Sequence, residues 1–203
     1  MIEFKNLNLK FNDKIIFENF NYKIEKNDKI LLNGKSGTGK TTLFRIICGF
    51  EIPNSGEVLY NNEIISYKNI HKIRNKIAYI SQDVDLSNDT VSNILHEIYS
   101  YRGNKNLEYD EIKIKKLLKE FLLEEDTLNK NVRDLSGGER QRLGIIISIL
   151  LDREIYLLDE ITSGLDETLK FKIIDYFLNS DKTILAISHD THWKKENIKE
   201  LRW

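Results

Sequence analysis

Apolar and polar positions alternate through the start of the chain: Ile2, Phe4, Leu7, Leu9 and Phe11, then Ile15, Ile16, Phe17, Phe20, Tyr22 and Ile24. A period near two, rich in aromatic residues, predicts antiparallel strands with one buried face. Lys29-Ile30-Leu31-Leu32 predicts a short buried strand that feeds a glycine-rich loop. From Thr41 to Phe50 the period lengthens, and Leu43, Ile46 and Ile47 fall on one face of a helix. Pro53-Asn54-Ser55-Gly56 predicts a turn, Glu57 to Tyr60 a strand, and Ile77 to Ile80 another. Between Val91 and Asn129 the character is helical. There Ile114, Leu117, Leu118, Phe121 and Leu122 keep helical spacing, and Glu111 stands four residues before Lys115. Ile155 to Leu158 and Thr183 to Ile187 have the unbroken apolar character of buried parallel strands, with a helix from about Glu167 to Leu178 between them. The whole order predicts an α/β architecture that begins with an antiparallel β segment and carries a helical insertion.

Composition narrows this picture. A length of 203 residues, 40% hydrophobic and 31% charged, suits one soluble globular domain. With 31 basic against 32 acidic residues, the net charge of −1 gives no general surface for nucleic acid. The single cysteine, Cys48, cannot form an internal disulfide, which fits a reducing cytosol. Its neighbours Ile46, Ile47 and Phe50 mark it as core packing. Met1 to Lys5 opens into strand pattern without the apolar core of a signal peptide. No apolar run reaches the ~20 residues of a membrane-spanning helix. The longest, Leu143 to Leu151, ends at Asp152-Arg153-Glu154. Work at a membrane would require docking on another molecule.

The candidate chemistry lies at strand ends. Gly34-Lys35-Ser36-Gly37-Thr38-Gly39-Lys40-Thr41 is a phosphate-binding loop between a predicted strand and a predicted helix. Its glycines let backbone N–H groups turn inward as an anion cradle at a helix N-terminus. Lys40 can reach the β- and γ-phosphates of a nucleotide, and the Thr41 hydroxyl can ligate Mg²⁺. Leu157-Leu158-Asp159-Glu160 ends a second strand in two carboxylates, which beside such a loop reads as a magnesium holder, Asp159, and a water-polarising base, Glu160. His189 ends a third strand, where ligands bind in parallel sheets, and a γ-phosphate contact is the reading for it. Phe11 is equally a core aromatic or a platform for a base. Gln82 by itself is a surface amide, Arg140 and Arg142 are helix-face charges, and Lys194-Lys195 is a solvated patch.

Leu135-Ser136-Gly137-Gly138-Glu139-Arg140-Gln141 resembles the signature of the ATP-binding cassette (ABC) family, of its small single-domain type. The family's other landmarks follow in order over nearly the whole chain. Gly34 to Thr41 resembles Walker A, Gln82 the Q-loop glutamine, and Ile155 to Asp159 Walker B with Glu160 as the catalytic glutamate. Ser163-Gly164-Leu165-Asp166 resembles the D-loop, His189 the switch histidine, and Phe11 the aromatic that stacks on adenine. Two positions depart from the pattern: Glu139 replaces the commoner glutamine, and Ile161 replaces the proline after the catalytic glutamate, which bears on the turn there. Only fourteen residues follow His189, so a C-terminal sensor domain is not expected.

The resemblance implies a P-loop NTPase core with a mainly parallel sheet, an N-terminal antiparallel β subdomain and an inserted α-helical subdomain. The approximate divisions are 1–85, 86–150 and 151–203 within one ABC ATPase domain. It implies ATP and Mg²⁺ as cofactors. The nucleotide-binding set is Phe11, residues 34–41, Thr42 and Asp166, and the metal set is Thr41, Gln82 and Asp159. Glu160, His189, Gln82 and Lys40 are the implied catalytic residues, and Ser136 to Glu139 act on the nucleotide of a second subunit. The implied function is an ATP-hydrolysing subunit that dimerises on ATP, a homodimer by expectation. It would power a separate permease from the cytoplasmic face of the membrane, with no insertion of its own. The membrane component chooses the substrate. Leu86 to Ile94 looks like the corresponding segment of exporter subunits, including small metal-export ones. The alternative is a soluble non-transport ABC ATPase such as an iron–sulfur cluster assembly ATPase.

Overall fold

In the computed structural model, which describes residues 1–202, the alternating N-terminal segment forms two antiparallel strands, β1 (Ile2–Phe11) and β2 (Lys14–Ile24). A third, β3 (Lys29–Asn33), leaves this hairpin to start a second sheet and is followed by helix α1 (Lys40–Ile47). The chain then returns with β4 (Ser55–Tyr60) and the short β5 (Glu63–Ile64), which complete the first sheet in the order β2-β1-β4-β5. Helix α2 (Ile70–Arg74) leads into β6 (Ile77–Ile80). Helices α3 (Val91–Ser100), α4 (Glu111–Glu120) and α5 (Gly137–Leu150) occupy the next stretch, joined by 3-10 turns. The chain closes with β7 (Ile155–Asp159), α6 (Glu167–Leu178), β8 (Thr183–Ile187) and β9 (Lys199–Arg202).

The second sheet is parallel throughout, in the order β6-β7-β8-β3-β9. Its central strands separate two hydrophobic cores, and the period of two in a strand decides which side chain enters which. Ile155 and Leu157 of β7, with Leu185 and Ile187 of β8, join α1 and the first sheet. Tyr156 and Leu158, with Ile184 and Ala186, join α3 to α6. All five residues of β7 and of β8 are buried, as both-face coverage requires. This arrangement is the α/β fold expected, with an antiparallel β segment and a helical segment packed on a parallel core.

Local departures have local causes. Helix α1 stops at Ile47 and not at Phe50, because Gly49 takes a left-handed φ of 66°. The first sheet is broken by register shifts along β1, and asparagines fill the breaks. Asn6 and Asn19 both have φ of 47°. The Asn6 N–H donates to Asn21 Oδ1 (2.9 Å), the Asn19 N–H to Asn8 Oδ1 (2.8 Å), and the Lys10 N–H to Asn54 Oδ1 (2.7 Å). Side-chain amides thus replace missing ladder bonds. The edge strand β9 was not apparent in the hydrophobic pattern: Lys199-Glu200-Leu201-Arg202 is mostly polar, and its pairing with β3 makes it a strand.

Gly56 opens β4 with φ of 89°, and a Cβ there would lie 2.3 Å from the Asn6 carbonyl oxygen. Backbone cannot yield as a side chain does. Gly56→Ala is therefore expected to destabilise the fold by roughly 2–4 kcal/mol, measured by urea unfolding; a loss below about 0.5 kcal/mol would show that the bulge at Asn6 can open.

Candidate functional site

The glycine loop starts where β3 leaves the parallel sheet. Asn33, its last residue, donates through Nδ2 to Glu200 Oε1 of β9 at 2.6 Å, which anchors the loop's entry to the sheet edge. Gly37 and Gly39 then take φ of 75° and 103°. At Gly39 a Cβ would also lie 2.5 Å from Ile16 Cγ2, so both conformation and space demand glycine. Gly39 caps α1 without any side-chain hydrogen bond, which leaves the first helical N–H groups for an anion. Lys40 is buried, and its Nζ donates to the carbonyls of Gly34 (2.8 Å) and Lys35 (3.0 Å). Thr38 Oγ1 donates to the same Lys35 oxygen at 2.9 Å.

The loop is tied to the end of β7, although β8 lies between β3 and β7. Thr41 Oγ1 donates to Asp159 Oδ2 at 2.9 Å. Asp159 is 8% exposed. Burial pushes its carboxyl above the usual aspartate range, against the opposing hydrogen bond from Thr41, and the neighbouring Glu160 adds to the rise. Tyr79, at the end of β6, reaches the same Oδ2 at 3.5 Å, and burial followed by the Asp159 charge pushes its phenol up to about 12.

Glu160 carries the unusual backbone. Six of the nine described non-glycine residues with positive φ are asparagines; Leu122, Asp152 and Glu160 (φ of 51°) are the others, and only Glu160 is at the site. A left-handed glutamate costs on the order of 1 kcal/mol. Two bonds hold it: its N–H donates to the Ile187 carbonyl (2.9 Å), and its own carbonyl accepts from the Ser163 N–H (3.0 Å). The turn after Glu160 therefore forms without proline. Ile161 is buried, and its carbonyl accepts from Gln141 Nε2 of α5 at 3.4 Å. His189, at the end of β8, brings Nε2 to 3.9 Å from Glu160 Oε1.

Two adjoining cavities share Glu160. One, of about 310 Å³, is lined by Phe11, Lys14, Ile16, Ser36, Gly37, residues 39–42, Asp159 and Ile187, whereas Gly34, Lys35 and Thr38 of the loop do not line it. The other, of about 490 Å³, lies between the turn 162–164 and the segment 188–192, His189 included. Phe11 is 42% exposed on the wall of the first, so it stands clear of the core and free to take a flat ring. Lys40, Thr41, Thr42, Asp159, Glu160 and His189 are thus brought together.

Other expected residues lie elsewhere. Gln82 is exposed in the bend after β6 and lines neither cavity. Asp166 is the N-cap of α6, where its Oδ1 accepts from the Leu169 N–H at 3.0 Å; it too lines neither. Ser136 to Glu139 form a capping box at the start of α5. The Ser136 N–H donates to Glu139 Oε2 (2.8 Å), and the Glu139 N–H to Ser136 Oγ (3.3 Å). Hydrogen bonding from the Ser136 side chain, then from its backbone, holds the Glu139 carboxyl below the usual glutamate range. Lys14 and Ile16 were not read as site residues in the sequence, and the bond from Gln141, the last residue of the signature-like segment, to the turn after Glu160 was not foreseen. Lys14 pairs with Phe11 across the β1–β2 hairpin, so a reading that put Phe11 in a site had a signal for Lys14 as well.

A family model described as "ABC transporter" matches residues 17–163. Among relatives, the chain is 31% identical over 194 residues to the probable iron export ATP-binding protein FetA of Escherichia coli strain K12, covering 94% of this chain and 85% of that one. It is 33% identical over 196 residues to the ergothioneine transport ATP-binding protein EgtV of Helicobacter pylori strain G27, covering 94% and 90%. Among solved structures, a dimeric bacterial ABC transporter cassette superposes with a TM-score of 0.82 at 27% identity, covering 100% of this chain and 94% of that one. A dimeric cassette in a post-hydrolysis state with ADP and Pi gives 0.79 at 28% identity, covering 99% and 94%.

Asp159 makes a stability prediction. A buried carboxylate whose folded-state pKa is raised weakens the fold at neutral pH, and this penalty disappears as pH falls below its unfolded value, where both states are protonated. Asp159→Asn is expected to raise the melting temperature at neutral pH in EDTA by roughly 2–4 °C. Scanning fluorimetry across pH should show the gain shrink towards acid; a lower melting temperature for the variant at neutral pH would refute it.

Proposed function

The chain belongs to the ABC transporter family as an ATP-binding, ATP-hydrolysing subunit, and from this premise we infer that two copies close head-to-tail around two ATP molecules to drive a separate membrane permease. The observation that supports the dimer most directly is the glycine pair that opens α5. Gly137 and Gly138 do not have positive φ, and a Cβ on either would meet nothing within 4 Å. In a helix each glycine is about 0.5–1 kcal/mol worse than alanine. The chain's own packing does not call for them, but a surface approaching from outside does. The positive end of α5 and the exposed Ser136 then face the γ-phosphate of the second copy.

Within one subunit the geometry supports the following roles. Loop N–H groups and Lys40 hold the β- and γ-phosphates, and Phe11 takes the adenine. Thr41 and the buried Asp159 fit Mg²⁺, since a cation between them relieves the cost of the buried carboxylate. Phosphate oxygens, water and, in the closed dimer, Gln82 would supply the ion's other ligands. Glu160, on its strained turn, polarises the attacking water. His189, beside Glu160, contacts the γ-phosphate. Gln82 and Asp166 belong to the closed dimer, Gln82 at the metal and at the relay to the permease, Asp166 at the interface.

No helix among the described residues is long and apolar enough to cross a membrane. The similarity to ATP-binding proteins of about this size, FetA and EgtV, supports a permease on another polypeptide that holds this subunit at the inner face. The resemblance of Leu86 to Ile94 to exporter segments and the similarity to an iron export protein favour export.

Two variants test the dimer. Glu160→Gln is expected to bind ATP, hydrolyse it at least about 10²-fold more slowly, and run as a dimer with ATP and Mg²⁺ in light scattering; a monomer under those conditions would overturn the sandwich. Gly138→Ala is expected to melt no lower than wild type yet lose hydrolysis by roughly ten-fold or more. Unimpaired turnover would show that nothing approaches α5 closely.

A further inference from the structure

We propose that Lys14 is a second cation of the nucleotide cavity: it pins the apex of the phosphate loop before binding and shares its charge with the phosphates afterwards. This rests on the reading of that cavity as the nucleotide site. The Lys14 ammonium donates to the Gly37 carbonyl at 2.9 Å. Lys40 serves the loop's start through Gly34 and Lys35, and Lys14 serves its turn through Gly37, so the two lysines brace different parts of one loop.

Peptide geometry makes the brace useful. No cis peptide occurs among the described residues, and in a trans peptide the C=O and the following N–H point in opposite directions. Holding the Gly37 carbonyl therefore also sets the direction of the Thr38 N–H. Gly37 has a φ of 75°, a conformation in which glycine is otherwise free to move. A contact that fixes it removes ordering cost from the binding step.

Position and charge support the second half of the proposal. Lys14 is the cross-strand partner of Phe11, across a turn of only Asn12 and Asp13. Lys14 therefore links the aromatic platform, its strand partner, to the loop, which its ammonium meets at Gly37. The charged residues lining the cavity are Lys14, Lys40, Asp159 and Glu160, two of each sign. Without Lys14 the lining carries a net charge of −1, which opposes a polyphosphate. Lys14 is exposed, so its charge-assisted bond can move from the carbonyl to a phosphate oxygen with little rearrangement of its stem.

The test is calorimetric titration of the full chain with ATP at two salt concentrations, for wild type, Lys14→Met and Lys14→Arg. Lys14→Met is expected to weaken ATP binding by roughly ten-fold, to flatten the salt dependence, and to raise KM more than it lowers kcat. Lys14→Arg, which keeps the charge, is expected to recover most of the affinity. An affinity within two-fold of wild type in Lys14→Met would overturn the proposal, and so would a loss with unchanged salt dependence. Lys40→Ala, run alongside, separates the two levels of the reading. If it binds ATP as tightly as wild type, the cavity is not the nucleotide site. If it loses ATP while Lys14→Met does not, only the role of Lys14 fails.

Discussion

Three adjacent parallel strands, β7, β8 and β3, have almost no surface left for water, and the rest of the molecule is arranged around that constraint. Buried backbone must be paired, so ladder bonds between these strands satisfy their N–H and C=O groups. Covering both faces requires two cores, which the first sheet with α1 and the helices α3 to α6 provide. Because the strands are parallel, their carboxyl ends share one edge. The residues that follow β3, β7 and β8 are Lys40 with Thr41, Glu160 after Asp159, and His189. Strand spacing of about 4.8 Å sets how far apart they start, and loop conformation closes the remaining gap, to 2.9 Å between Thr41 and Asp159 and 3.9 Å between His189 and Glu160.

That rigidity sustains features which would not survive alone. Asp159 holds a carboxylate where burial disfavours its charge, and Glu160 sits in a backbone conformation that glutamate avoids. The Ile187 carbonyl fixes Glu160 from the neighbouring strand, so the sheet itself maintains the strain. Gly137 and Gly138 follow the same logic. They weaken α5 although a Cβ on either would meet nothing within 4 Å, while Ser136 and Glu139 restore part of the loss by capping it. In the proposed ATP-driven closure such places have a use, because a surface optimised for the isolated subunit would leave nothing for nucleotide or partner to complete.

Much of this was legible in the chain. Strongly periodic or wholly apolar segments became the strands and helices expected of them, α6 from Glu167 to Leu178 among them. The glycine loop, Asp159, Glu160 and His189 were readable because each sits within a few residues of a strand end, and their meeting follows from parallel pairing. Less could be read where distant residues decide the outcome. Strand β9 is polar and exists through its bonds to β3. Asp166, expected at the nucleotide, spends its carboxylate on the N-terminus of α6 in this subunit, and Gln82 lies exposed outside both cavities.

The sequence by itself determined the order of the strongly patterned elements, the identity of the phosphate loop and the family, because these depend on local periodicity and on short motifs whose chemistry is contained in a few adjacent residues. Only the tertiary structure decided which sheet each strand joined, that Phe11 faces the cavity, that Lys14 reaches Gly37, and that Glu160 turns through a left-handed backbone without the help of a proline. Those outcomes are set by contacts between residues far apart in the chain. Register, burial and hydrogen-bond partners exist only once the strands have paired, and no window of sequence contains both halves of such a contact.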